Sequence, residues 1–222
     1  MHPYIQPLLK QFEALADAEK AAWSRAYMKN QFEFFGIPTP IRRNVCKQYM
    51  KENPLKTVDE IEAIVKELWG LEQREFQYFG IELMAFHKKL WEEKIIHLFE
   101  YCITNKSWWD TVDYISSDCN ARYFLLCPNQ IVPITQRWNH SDNIWLQRCS
   151  LLFQKSYKQN LDTDLLTRYI NNLSTSKKFF IQKAIGWVLR EYARTNPQWV
   201  KEFVSSNNLP ALSKREAMKH LS

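Results

Sequence analysis

Thr57-Val58-Asp59-Glu60-Ile61-Glu62-Ala63-Ile64-Val65-Lys66-Glu67-Leu68 is the stretch that decides the fold class. Thr57 followed three positions later by Glu60 is a capping box, in which hydroxyl and carboxylate each satisfy a backbone N–H that a helix start leaves without a partner. Val58, Ile61, Ile64, Val65 and Leu68 then recur with the spacing of one buried helix face.

The same period continues in both directions. Towards the N-terminus, Pro3 suits the first turn of a helix whose apolar side carries Ile5, Leu8, Leu9, Phe12 and Leu15, and a second helix, about Glu19–Gln31, carries Trp23, Ala26 and Tyr27. Thr39-Pro40 reads as a capping hydroxyl with proline at the first helical position. Arg42 and Arg43 fall in that first turn, where exposed N–H groups and two cations suit a phosphate, or where both are simply solvated. Towards the C-terminus, helices are expected at about Arg74–Phe86, Trp91–Thr104, Trp108–Asp118, Asn120–Leu126, Ile131–Trp138, Asn143–Tyr157, Asp162–Asn172, Lys178–Arg194, Pro197–Ser205 and Ser213–His220. Ser213-Lys214-Arg215-Glu216 repeats the box pattern.

No alternating run bounded by turn residues reads as a strand, so the expected fold is all-α. Helix pairs recur at roughly 35–40 residues, the spacing of HEAT-like pairs stacked into an α-α superhelix. Connections are short and no low-complexity linker intervenes, so residues 1–222 are expected to form a single domain with a concave basic face.

Composition narrows the chemistry. Hydrophobic residues make up 45% of the 222, aromatics 14%, and mean hydropathy is −0.45 with no apolar run long enough to span a membrane. Met1-His2-Pro3-Tyr4 lacks the basic lead of a secretory signal, which makes the cytoplasm the expected location. Cys46, Cys102, Cys119, Cys127 and Cys149 show no Cys-x-x-Cys spacing, the five histidines stand apart from them, and the four glycines are scattered. Neither a metal site, nor a disulfide framework, nor a phosphate-cradling loop is indicated. Net charge is +6, but residues 1–105 carry 14 Lys and Arg against 15 Asp and Glu, whereas residues 106–222 carry 16 against 9. The basic excess is thus confined to the second half, as expected of a surface that meets a polyanion.

Lys106-Ser107-Trp108-Trp109-Asp110-Thr111-Val112-Asp113 lies at the start of that half. Ser107 and Asp110 form a helix-start pattern, placing the first helical residue at Trp108. Trp109 and Asp113, four apart, then share one face. An indole beside a carboxylate stabilises positive charge without a metal, although a Trp and an Asp so placed can also be core and cap.

Two further stretches belong with it. Asp142-Asn143-Ile144-Trp145-Leu146-Gln147-Arg148 opens a helix able to carry Arg148 to a polar edge. In Lys177 to Arg190, Phe180, Ala184, Val188 and Tyr192 form a core stripe flanked by Ile181, Ile185 and Leu189, which leaves Phe179, Lys183, Trp187 and Arg190 on another side. Aromatic and basic residues interleaved in this way suit bases and phosphates, or the next helix pair.

Taken together, these stretches resemble the AlkD-type DNA alkylation repair glycosylases, built of HEAT-like repeats. The likeness runs from Met1-His2-Pro3 through Tyr27-Met28-Lys29-Asn30, Thr39-Pro40, Lys106 to Asp110, Asp142 to Arg148 and Phe179 to Trp187, to Leu212-Ser213-Lys214-Arg215-Glu216-Ala217. The resemblance implies a monofunctional, cofactor-free and metal-free glycosylase. It would hydrolyse the N-glycosidic bond of cationic N3- and N7-alkylated purines in duplex DNA without extruding the base, as a monomer at the bacterial nucleoid. It also implies roles for residues. Asp113 matches the catalytic carboxylate, Trp109 and Trp187 the aromatics against sugar and backbone, Arg148 a phosphate ligand, Tyr27 a position at the lesion, and Thr39 with Arg43 backbone contacts. Phe179, Phe180, Lys183 and Arg190 join the DNA-facing set. Pro38 stands where the family usually has Gln. The competing expectations are a DNA-binding solenoid without catalysis and a protein-interaction scaffold.

Overall fold

A computed structural model describes residues 1–221, which are all-α: among them the only strand-like feature is an isolated bridge between Glu33 and Gln73. The chain divides into two compact units, residues 1–98 and 99 onward.

The first unit contains α1 (Gln6–Ala14), α2 (Ala18–Tyr27), α3 (Thr39–Glu52), α4 (Val58–Gly70) and α5 (Arg74–Phe86). The capping box at Thr57 and Glu60 forms with both reciprocal bonds, and Val58, Ile61, Ile64, Val65 and Leu68 are buried as their spacing requires. A three-residue link joins α4 to α5, so the two lie side by side in opposite directions. Several expectations fail locally. Leu15 is exposed, because α1 ends at Ala14 and Leu15 lies past the turn that faces the core. Thr39 caps nothing: Pro38 occupies the cap position of α3 and no side chain bonds there. Arg42 is buried rather than solvated, its Nη1 donating to Glu82 Oε2 at 2.9 Å and its guanidinium lying 5.0 Å from the Tyr78 ring. A phosphate docking on both arginines of that turn is therefore excluded.

The segment between α2 and α3 is tied down by one carboxylate. Glu75 accepts from the N–H groups of Phe35, Gly36 and Ile37 at 3.1, 2.9 and 3.3 Å, which satisfies a run of donors that no helix supplies with acceptors. Gly36 has φ +83°, and a Cβ there would sit 2.2 Å from the Asp17 carbonyl oxygen, so the turn demands glycine.

The unit boundary falls within α6 (Ile95–Thr104), which starts later than the expected Trp91 because a short 3₁₀ turn, Lys88–Leu90, comes first. The second unit then has α7 (Trp109–Tyr114), a π-helical segment Ile115–Asn120, α8 (Ala121–Leu126), α9 (Ile131–Asn139), α10 (Ile144–Leu152), α11 (Thr163–Leu173), α12 (Phe179–Tyr192), α13 (Pro197–Ser206) and α14 (Ala211–Met218). Asn143, Asp162 and Asn196 cap α10, α11 and α13 through their side-chain oxygens. Two expected caps do other work. The Ser107 hydroxyl donates to the Ile103 carbonyl at 2.6 Å, so Trp108 becomes the cap residue and α7 starts one position late. The Ser213 hydroxyl donates to the Gln182 carbonyl at 2.8 Å, joining α14 to α12.

α12 packs against both α10 and α14. Its buried face carries Ile181, Ala184, Ile185, Val188, Leu189 and Tyr192 as expected, while Phe180 is only half-buried. Gly186 is where α14 comes closest: a Cβ there would lie 2.5 Å from Glu216 Cβ and 2.9 Å from the Ser213 carbonyl oxygen. All five cysteines are free and four are buried. No helix among the described residues is long and apolar enough to cross a membrane.

Candidate functional site

The positive φ of Lys106, 47°, turns the chain sharply after α6 and sends it into α7. Trp109 and Asp113 then project from one face of that helix, both half-buried. Asp113 meets Arg148 of α10 in a two-point contact: Arg148 Nε donates to Oδ1 at 2.6 Å and Nη2 to Oδ2 at 2.8 Å. The side chains are 14% and 5% exposed, so the pair is close to dry. Arg148 Nη1 also donates to the Phe180 carbonyl at the start of α12. The guanidinium carbon lies 5.9 Å from the centre of the Trp187 ring, so α7, α10 and α12 bring acid, cation and indole together. The sequence reading makes Arg148 a phosphate ligand; here its donors are directed to protein oxygens, with the planar fork matched to a carboxylate.

This grouping comes with a match along the chain. The sequence profile described as DNA alkylation repair enzyme fits residues 8–221. The chain belongs to the DNA alkylation repair enzyme family. Among solved structures it is similar to a predicted DNA alkylation repair enzyme from Enterococcus faecalis, at 34% identity and a TM-score of 0.87, covering 93% of this chain and 97% of that one. The AlkD-type resemblance and the all-α fold of HEAT-like helix pairs thus stand. No curated protein matches.

In this family member the remaining expected residues divide between the two units. In the second, Phe180 joins Trp108 and Trp145 in a ring cluster with centroids 4.9 to 5.9 Å apart, and Phe179 extends it outward with 58% of its surface exposed. Lys183 and Arg190 converge on one acid, Glu216 of α14, at 3.0 and 2.6 Å, so neither is an unpaired surface cation. The Lys183 hydrogen bond, with that of Arg190, holds the Glu216 carboxyl below its ordinary value. In the first unit, Tyr27 stacks on Trp23 with the rings 5.3 Å apart and 6° from parallel. Both are exposed, 54% and 68%, beside a cavity of about 180 Å³ that Thr39, Arg42, Glu75 and Tyr78 also line. Arg43 is exposed on α3, its Nε 3.4 Å from Glu82 Oε1.

Two side chains escaped the sequence reading. Trp23 looked like an ordinary amphipathic helix residue, although an aromatic four positions before Tyr27 was the signal that the two could stack. Lys155 fell inside an expected helix; α10 in fact ends at Leu152, and the turn beyond it swings the Lys155 ammonium to 3.5 Å from the centre of the Trp187 ring. Nothing in the local sequence signals that contact, which joins residues 32 apart.

Among the described residues no group of three or more His, Cys, Asp or Glu is placed to hold a metal ion. The chemistry that this chain itself offers is a carboxylate, cations and indole faces.

Proposed function

We propose that this protein is an alkylpurine DNA glycosylase, acting as a monomer and without a cofactor on duplex DNA that carries cationic N3- or N7-alkylated purines. The observation that carries the reading is the meeting of Asp113, Arg148 and Trp187 on three helices, with Trp109 one turn before Asp113. An alkylated purine already bears positive charge, so the C1′–N bond breaks with its electrons moving onto a good leaving group. The protein need only stabilise the electron-poor sugar and hold the water that adds to C1′. Trp109 and Trp187 supply ring faces to that sugar, and Asp113 supplies negative charge and a water acceptor. Arg148 holds the carboxylate in place and shares itself with the phosphate beside the lesion once DNA is bound. Because the base is cationic before the bond breaks and departs neutral, it needs no proton from the protein and can leave without being drawn into a pocket of its own. Tyr27, Thr39 and Arg43 of the first unit, and Phe179, Phe180, Lys183 and Arg190 of the second, contribute contacts to the DNA strands.

One observation favours a second reading, a DNA-binding protein without excision: both Asp113 oxygens are occupied by Arg148, which offsets the charge the sugar needs. A single assay separates the two. Duplex DNA containing 7-methylguanine is incubated with the protein and free base is measured. Release by the wild type, reduced at least ~100-fold in Asp113→Asn, supports the glycosylase. Salt-sensitive binding with no release supports the second reading.

A further inference from the structure

The turn between α10 and α11 meets the C-terminal end of α12 across an open cleft of about 500 Å³. Its lining carries three cations, Lys155, Lys158 and Arg194, against one acid, Glu191, with Ser156, Gln159 and Thr195 adding neutral polar groups. Arg194 is shared with Glu191 at 3.2 Å, which leaves the two lysines: among the described residues neither has a carboxylate within ion-pair distance. Burial holds the half-buried Lys155 ammonium below its ordinary value, partly offset by the charges of Asp113 and Glu191. The backbone of the turn adds donors. Tyr157 is right-handed helical (φ −76°, ψ −11°) and Lys158 left-handed (φ 53°), a succession that directs consecutive N–H groups into one concavity suited to an anion. Among the described residues the N–H groups of Lys158 and Gln159 meet no acceptor, whereas those of Tyr157, Asn160 and Leu161 are bonded to carbonyls. The buried amide of Gln154 accepts from the Asp162 N–H at 2.9 Å and donates to the Asp162 carbonyl at 3.2 Å, so this conformation is held without a ligand.

We propose that this cleft is a phosphate-binding site whose occupant is a backbone phosphate of the duplex, a few nucleotides from the lesion. The choice of occupant rests on the reading that the lesion sugar sits against Trp187. Trp187 is not in the lining of the cleft, but α12 runs from one to the other: Trp187, Glu191 and Arg194 follow at steps of four and three, hence on one face. The seven residues from Trp187 to Arg194 rise about 10 Å along a helix, which is about three base steps of duplex. Lys155 spans the same interval, its Nζ 3.5 Å from the centre of the Trp187 ring while its side chain lines the cleft. The free N–H groups of Lys158 and Gln159 bond the non-bridging oxygens, and the two lysines neutralise the charge. Such a contact carries no sequence information; it fixes the register of the duplex along α12 and so helps to set which sugar meets Trp187. Free phosphate offers the same chemistry as a backbone phosphate, and the test separates the two.

The test uses full-length protein and a duplex containing 7-methylguanine, with one phosphate at a time replaced by an uncharged methylphosphonate. Lys158→Asn removes the cation with a residue that tolerates positive φ, and Lys155→Met keeps the stem on the indole; the two are combined. The double variant is expected to lower the slope of log affinity against log salt by about 1, so that a fourfold rise in salt weakens it roughly threefold less than wild type. One methylphosphonate within a few nucleotides of the lesion should weaken wild type and leave the double variant unchanged, while Lys201→Asn, an exposed lysine on α13, should show no such coupling to that position. An unchanged slope, or a scan in which no position couples to the double variant, overturns the DNA assignment. Inorganic phosphate is then titrated against the amide resonances of Lys158 and Gln159: shifts that saturate keep the site and make its occupant a free phosphate, and none overturns the site as well. Base release is measured separately. Release of 7-methylguanine without coupling removes the phosphate site and keeps the glycosylase, while coupling without release does the reverse.

Discussion

Arg148 grips Asp113 by both carboxylate oxygens while a third donor holds the start of α12, so one side chain links three helices. The pair is nearly excluded from water, and its two charges stabilise each other only while both remain. Arg148→Ala should therefore lower unfolding free energy by about 3–5 kcal/mol, measured by urea denaturation, whereas Arg148→Lys, which cannot form the two-point contact, should fall between wild type and Ala.

The first unit holds a second buried ion pair, Arg42 Nη1 on Glu82 Oε2. Glu82→Ala leaves a buried guanidinium without its carboxylate and should cost about 3–5 kcal/mol. Replacing both residues, Arg42→Met with Glu82→Leu, should recover most of that loss in the same urea titration, because no unpaired charge then remains.

Gly186 faces the backbone and Glu216 of α14 at distances no methyl group can occupy. Gly186→Ala should destabilise by about 1–3 kcal/mol through overpacking, despite the better helix propensity of alanine. Thermal unfolding with the Ser213 contact monitored by amide exchange would show whether α14 loosens first.

Glu216 predicts a pH effect with a definite sign. Its carboxyl titrates below its ordinary 4.5 in the folded chain because Lys183, and then Arg190, hydrogen-bond its charged form. A group depressed on folding contributes stability that is fully present above the unfolded value and is lost as pH falls through the folded one. Wild type should thus lose stability below about pH 4.5 more steeply than Glu216→Gln, with the two curves parallel above it. Parallel curves at all pH values would remove Glu216 from the account.

The helices were legible because their signals are local. Thr57 and Glu60 form the box that their spacing predicts, and Arg74–Phe86 appears with its expected ends. The misread starts share a cause: Ser107, Thr39 and Ser213 carry cap-type side chains, but Ser107 and Ser213 give their hydroxyls to carbonyls and Pro38 occupies the cap position before Thr39. A hydroxyl has several partners within reach, and sequence does not state which carbonyl will be nearest. The candidate site was legible in its residue types, since Trp109, Asp113, Arg148 and Trp187 stand out by pattern and by resemblance. Its pairings were not. That Arg148 would turn to Asp113, Lys183 and Arg190 to Glu216, and Lys155 to Trp187 depends on helices separated by 26 or more residues.

The π-helical turns of Ile115–Asn120 come directly after the helix that carries Asp113 and hold a fully buried Asn120 whose amide atoms have no hydrogen-bond partner. Such a segment fits more residues into each turn than an α-helix and so sets the rotational phase between α7 on one side and α8 on the other. Deleting one residue from it would let ordinary winding resume with the phase nearly kept, whereas winding all six residues as an α-helix would rotate Ala121–Leu126 by about 100° relative to Trp109 and Asp113. Phe124 would leave the core for solvent, so the widened coil acts as a vernier that reconciles the packing face of α8 with the chemical face of α7.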